Sequence, residues 1–170
     1  MIVTFDFTFC NFMFGLLIDN KSSLAVTNEI VRLKTDLHNA GLKFCDVIPL
    51  LLTDNGGEFS NVFSFENGLD GLPETKLFFC DPCQSSQKPH VEKTIFRDIM
   101  PKGYSFDGLT QEKLNAIFSH VNSIKRKSLN GKSPYDLFVF TFGQKIADIL
   151  GITEILPENV IQSPKLLKKI

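Results

Sequence analysis

Apolar positions change their period once within the first forty residues, and the change marks the first boundary of the fold. IVTFDFTF (2–9) and FMFGLLI (12–18) are Phe-, Ile- and Val-rich runs of strand length separated by Cys10-Asn11. They predict an antiparallel pair around a tight turn. Beyond them Val26, Ile30, Leu33 and Leu37 recur at helical spacing, so a helix with one apolar face is expected. Ser22 or Ser23 can cap its start, and it runs to about Asn39 before Gly41 ends it. DVIPLLLTD (46–54) is a short apolar run that follows a helix, the pattern of a central, buried strand.

Residues 55–73 hold four glycines and Pro73, with room in FSNVFSF for one helical turn inside a loop. TKLFFC (75–80) reads as a further strand. A helix is expected from Ser85 or Ser86 through Glu92 to about Met100, with Pro89 tolerated in its first turn. Leu114, Ile117, Phe118, Val121 and Ile124 mark another amphipathic helix. Ser133-Pro134 has the chemistry to start a last one, reaching about Leu150. The order strand, strand, helix, strand, strand and three helices predicts an α/β fold with part of its sheet antiparallel. Residues 1–150 read as one core domain and 151–170 as a tail without a clear period.

Composition narrows the partners more than the fold. A chain of 170 residues suits one domain, and 43% hydrophobic with 22% charged residues is ordinary for a soluble protein. Seventeen Phe beside two Tyr and no Trp imply a deep apolar core. A net charge of −1 removes any global basic field, so affinity for nucleic acid has to come from local clusters. Cys80 and Cys83 form a single CxxC, and with only His90 nearby a structural zinc site is incomplete. The thiols therefore read as inert, and no disulfide framework is implied. The apolar N-terminus lacks a basic n-region and is interrupted by Asp6 and Asn11, which counts against a signal peptide and a membrane span. A cytoplasmic protein with no membrane partner is expected.

The candidate chemistry begins at LLTDNGGEFS (51–60), where Asp54 follows an apolar run and precedes Asn-Gly-Gly. Glu92 lies on the helix after the next strand. Two carboxylates on neighbouring elements can share divalent cations, because Mg²⁺ takes hard oxygen ligands. Two such ions about 4 Å apart activate the attacking oxygen and stabilise the leaving one in phosphodiester chemistry. A turn Asp and a solvated helix Glu would give the same two residues without any chemistry.

LLTDNGGEFSN, FFCDPCQSSQKPHVEK and MPKGYSFDGLTQEKLNAIFSHVNSIKRKSLNGKSPYDLF stand in one order. Together they resemble the catalytic core of bacterial insertion-sequence transposases of the DDE class, which has a retroviral-integrase-like, ribonuclease-H-like fold. The resemblance covers nearly the whole chain and includes the closing FGQKIADILGI. It implies a mixed sheet flanked by helices, with Asp54 as the second of three metal-binding carboxylates and Glu92 as the third. It also implies Mg²⁺ (or Mn²⁺) as cofactor, transposon ends and target DNA as partners, and room for homo-oligomerisation. Asn55, Gly56 and Gly57 would let backbone approach a phosphate. Lys88, Lys93 and Arg97 near Glu92, and Lys125, Arg126, Lys127 and Lys132 in a connector, would contact phosphates without reading sequence. Taken singly, each of these cations also reads as a solubilising surface residue.

The match departs from the family in four places. The family's first carboxylate sits on an opening strand, whereas TFDFTFCNFMFGLLID matches the strand pair that follows it. The opening strand is therefore expected to be missing, as in a truncated or degenerate copy. Asp6 is separated from Phe12 by five residues, too few for a further strand, so it reads as a residue of the second strand. EKTIFRDIMPKG is two residues short after Glu92, about 200° of helix rotation. Pro89 stands where the family commonly has Gly, and Cys83 where it commonly has Tyr or Gly. Three functions follow: a DDE core, a non-catalytic DNA-binding or dimerisation remnant, or a nuclease recruiting Asp6. The expected behaviour is weak DNA binding without cutting.

Overall fold

The computed structural model describes residues 1–81 and 96–170. They divide into two compact units, the first made of Met1 and residues 18–87, the second of residues 2–17 and 88–170. The architecture is mixed α/β, and each unit carries one pair of strands.

In the second unit β1 (Ile2–Phe7) pairs antiparallel with β2 (Phe12–Leu17), in register from Ile2↔Leu17 to Phe7↔Phe12. The turn is the expected one: Asn11 takes φ 55°, and the amides of Cys10 and Asn11 both donate to the Phe7 carbonyl, at 3.1 and 2.7 Å. The phenylalanines fill one face of this hairpin. Phe12 stacks on Phe138 at 3.8 Å between centroids, with Phe7 edge-on to the same ring at 5.0 Å. On the opposite face Gly15 lets α5 (Gln111–Asn122) come close, since an added Cβ would lie 2.5 Å from a Phe118 ring carbon.

The outer edge of β2 is closed by side chains of α5. Asn122 accepts from the Met13 amide at 2.8 Å and donates to the Met13 carbonyl at 2.6 Å. Gln111 does the same one end along, accepting from the Leu17 amide and donating to the Gly15 carbonyl, both at 2.8 Å. Two side-chain amides thus satisfy backbone groups that an edge strand would otherwise present to another chain. Between them Leu114, Ile117, Phe118 and Val121 are wholly buried.

The last helix does not run unbroken to Leu150 as its pattern predicts. Gly143, at φ 87° and ψ 157°, divides it into α6 (Pro134–Phe142) and α7 (Gln144–Ile149). That conformation suits glycine and interrupts the helical ladder. Ser133 caps α6 as expected, its Oγ accepting from the Asp136 amide at 3.0 Å while the Asp136 carboxylate accepts from the Ser133 amide at 2.9 Å. The segment after Gly151 is held by α5, where the amides of Thr153, Ile155 and Ile161 donate to Ser119 Oγ, Ser123 Oγ and His120 Nδ1.

In the first unit α1 (Ser23–Asn39) starts where the pattern placed it, with Ser22 Oγ accepting from the Ala25 amide. Its buried stripe contains Val26, Ile30, Leu33 and Leu37, and also Lys34, only 3% exposed. The Lys34 ammonium donates to the carbonyls of Ser64, Phe65 and Asn67 at 3.1, 3.0 and 2.6 Å, around the end of a helical turn, residues 62–66. Glu74 lies 3.7 Å away and the Phe44 ring 4.9 Å. Burial lowers the lysine pKa and Glu74 opposes that shift. The charge is tolerated because carbonyls and a carboxylate replace its water.

DVIPLLLTD is not one buried strand. Its beginning belongs to α2 (Phe44–Val47), whose N-terminus is capped by Asp46 accepting from the Lys43 amide at 2.8 Å. We number the 62–66 turn α3 (Val62–Glu66). Only Leu50–Thr53 forms a strand, β3, and Leu50 and Leu52 are 57% and 44% exposed. Alternate side chains of a strand face opposite ways, and here one of the two faces is uncovered. β3 pairs parallel with β4 (Lys76–Phe79), from Leu50↔Lys76 to Thr53↔Phe79. The expected single sheet is therefore replaced, among the described residues, by two separate two-stranded sheets. The hairpin closes on itself through its short turn, and the parallel pair closes through the α3 crossover, so neither ladder needs the other to form.

Candidate functional site

The end of β3 delivers Asp54, an exposed residue, to the C-terminal edge of the parallel ladder. The Cys80 amide extends that ladder by donating to the Thr53 carbonyl at 2.7 Å, so Asp81 begins at the same edge. Asn55 ties the two strand ends together, its Nδ2 donating to the Cys80 carbonyl at 3.0 Å. In open α/β sheets ligands are taken at the carboxyl ends of strands, the position Asp54 holds here.

The two glycines that follow do not use positive φ. Gly56 sits at φ −67°, and Gly57 is not among the glycines with positive φ. The Glu58 carboxylate folds back beside Gly56, 2.5 Å from where a Cβ would stand, and lies 3.5 Å from Lys21. Glu92, Lys88 and Lys93 fall within 82–95, outside the described residues, as do Cys83, Pro89 and His90. Among the described residues no three His, Cys, Asp or Glu side chains gather to hold a metal.

The basic residues lie in the second unit. Arg97 is exposed on α4 (Phe96–Ile99). The connector 125–132 is a closed turn, with the Arg126 amide donating to the Lys132 carbonyl and the Gly131 amide to the Arg126 carbonyl, both at 3.0 Å. Asn130 and Gly131 take φ 53° and 79° to make it, and Lys125, Lys127 and Lys132 project into solvent. Arg126 departs from its neighbours. It is half-buried, and burial lowers its pKa while Asp6 and then Cys10 pull it back up. Its Nε is buried without a hydrogen-bond partner among the described residues. Burial, reinforced by Asp6, pushes the Cys10 thiol up to about 11, so Cys10 stays protonated and unreactive. Asp6 thus keeps company with a guanidinium on β1. His38 is exposed, and His120 is a buried structural acceptor.

Comparison with known proteins gives these residues their context. The chain is 30% identical over 140 residues to a candidate integrase, ORF3, of Spiroplasma virus SpV1-R8A2 B, covering 71% of this chain and 42% of that protein. It is 38% identical over 68 residues to the transposase of insertion sequence IS1086 from Cupriavidus metallidurans, covering 39% of this chain and 20% of that one. A third relative, the transposase of IS4351 from Bacteroides fragilis, is 30% identical over 98 residues, 56% of this chain and 29% of its own. The chain is transposase- and integrase-like. It spans less than half the length of each of these relatives. No protein-family model matches it, and no solved structure does.

Several residues that shape this transposase-like chain escaped the sequence reading. Lys34 interrupts the Val26–Leu37 stripe at a buried position, and a cation inside an apolar stripe is the signal that was there to be read. Gln111 and Asn122 bracket the Leu114–Val121 stripe on the same helix face, which marks them as inward-facing amides. Lys102, Tyr104 and Phe106 sit in a segment that composition presents only as a loop.

Proposed function

We propose that this chain processes DNA as part of a DDE-type transposase core, with Asp54 and Glu92 among the carboxylates that hold Mg²⁺ (or Mn²⁺). The observation that carries the reading is Asp54 at the carboxyl edge of a parallel ladder, in a chain whose relatives are named as integrase and transposases. The ribonuclease-H-like form of the α/β fold, a cytoplasmic setting and association with a second copy belong to the same proposal. Asp54 suits a hard cation: it is an exposed carboxylate at a strand end, and Asn55 fixes the turn beneath it. Glu92 would supply the second ligand. The metal, when bound, supplies Lewis acidity to a phosphodiester and lowers the pKa of a coordinated water.

Arg97, Lys125, Lys127 and Lys132, with Lys88 and Lys93, would neutralise phosphates and set the register of DNA without reading its sequence. Arg126 belongs to the same set, although it is half-buried and its charge also interacts with Asp6. A second reading, DNA binding without catalysis, draws on Asp6, a β1 residue whose charge interacts with the Arg126 guanidinium.

Fluorescence anisotropy with a duplex across a salt series tests the shared claim. Affinity should fall steeply with salt. The triple variant Lys125→Ala, Lys127→Ala, Lys132→Ala should lower the slope by about 0.9 for each phosphate it no longer neutralises. Binding that ignores salt, or a triple variant identical to the parent, would sink both readings. Mn²⁺-dependent nicking that Asp54→Ala and Glu92→Ala each abolish would select the catalytic one; binding without nicking would select the other.

A further inference from the structure

A cleft of about 310 Å³ lies in the second unit, with Thr4 and Met13 of the hairpin and Met100 among its lining residues. That volume is at the small end of ligand sites, the size for one compact group and not for a helix laid in a groove. Tyr104 and Phe106 also line it, and each is 44% exposed. They come from a loop set by Gly103 at φ 87°, by the Tyr104 amide donating to the Pro101 carbonyl at 3.1 Å, and by Ser105 Oγ donating to Asp107 at 2.7 Å. Arg97 and Lys102 complete the rim, both exposed.

Both charged residues that line this cleft, Arg97 and Lys102, are cations. No carboxylate lines it among the described residues. Three carboxylates stand just outside it: Asp6, paired across the hairpin with Met13, Asp98, which accepts from Gln162 Nε2 at 2.9 Å, and Asp107, which accepts from Ser105 Oγ at 2.7 Å. An apolar floor, two half-exposed rings and two cations together suit a flat, aromatic anion. A purely apolar peptide would leave both cations unanswered.

We propose that this cleft takes one unstacked base of single-stranded or locally opened DNA, its ring against Tyr104 and Phe106 and its flanking phosphates on Arg97 and Lys102. The inference rests on the DNA reading above and adds a preference for unpaired strands. Stacking on aromatic side chains tolerates any base, so the preference is for strand state and not for sequence.

The chain contains no tryptophan, so Tyr104→Trp places a single indole in the cleft of this chain. A short single strand should quench that indole, while an abasic strand of equal length, brought to equal occupancy by anisotropy, should not. Tyr104→Leu with Phe106→Leu keeps apolar volume and removes the rings. It should weaken single-strand binding about tenfold and leave duplex binding, carried by exposed lysines, within about twofold. Equal quenching by the abasic strand would overturn this inference and leave the DNA reading standing, as would single-strand affinity untouched by the leucines. Failure of the unmodified chain to bind any DNA would overturn both.

Discussion

Phe12 and Leu52 are both apolar strand residues, yet the first is wholly buried and the second is 44% exposed. The difference runs through the two strand pairs. The hairpin has Phe138 and Phe142 ringed against its phenylalanines, α5 against Gly15, and side-chain amides along the edge of β2. The parallel pair has strands of four residues, with Leu50, Leu52, Phe78 and Phe79 exposed. One pair is committed to stability. The other is thin, and its distinctive feature is the carboxylate at its end. A strand pair can serve to deliver a residue to an edge without contributing much core.

If that contrast is real, stability should respond very unequally to substitutions in the two pairs. Phe138→Ala removes the ring on which Phe12 stacks and should cost about 3–5 kcal/mol in a denaturant titration. A loss below about 1 kcal/mol would mean that the hairpin core collapses to fill the space or is looser than described. Asn122→Ala leaves the Met13 amide and carbonyl unpaired at a buried edge and should cost roughly 2–3 kcal/mol. It should also promote association through the uncovered edge, which light scattering would register.

The acid side sharpens the contrast again. Burial lowers the His120 pKa from its ordinary 6.5, with Lys169 adding to the shift, and Nδ1 must stay unprotonated to accept from the Ile161 amide. The unfolded chain then binds more protons than the folded one below that value. Stability of the second unit should fall as pH drops through 6.5 toward the lowered folded value, and be fully present above 6.5. His120→Gln should flatten this dependence in a melting series across that range; an unchanged profile would assign the acid sensitivity to other groups. The smallest effect belongs to the parallel pair, where Leu52→Thr should stay within about 0.5 kcal/mol. A large loss there would mean that the exposed face is covered in solution.

Where the sequence was legible, the apolar positions of a segment kept one period even where a polar residue stood among them. The hairpin, α1 and α5 announce themselves because their apolar positions keep period to the end. DVIPLLLTD misled because a continuous apolar run does not say which face is covered, and its start could be recruited into α2 by the Asp46 cap. The break at Gly143 was hidden because one glycine inside an apolar stretch does not disclose its φ. Of the two candidate carboxylates, Asp54 is the one whose place the fold describes, at the end of β3, as the apolar run before it implies locally. Arg126 looked like its neighbours in a basic run, and only the fold shows that it is half-buried and interacts with the charge of Asp6. Lys34 and the paired amides of α5 depend on partners distant in sequence, which no local pattern encodes.

The central claim is that Asp54 and Glu92 serve one divalent ion. Mn²⁺ titration followed by electron paramagnetic resonance measures it directly, in the full chain and in Asp54→Asn and Glu92→Gln variants whose circular dichroism matches the parent. The account predicts that the unmodified chain removes Mn²⁺ signal saturably and that each substitution alone abolishes this binding. Equal Mn²⁺ binding by all three proteins, or none by the unmodified chain, would contradict it.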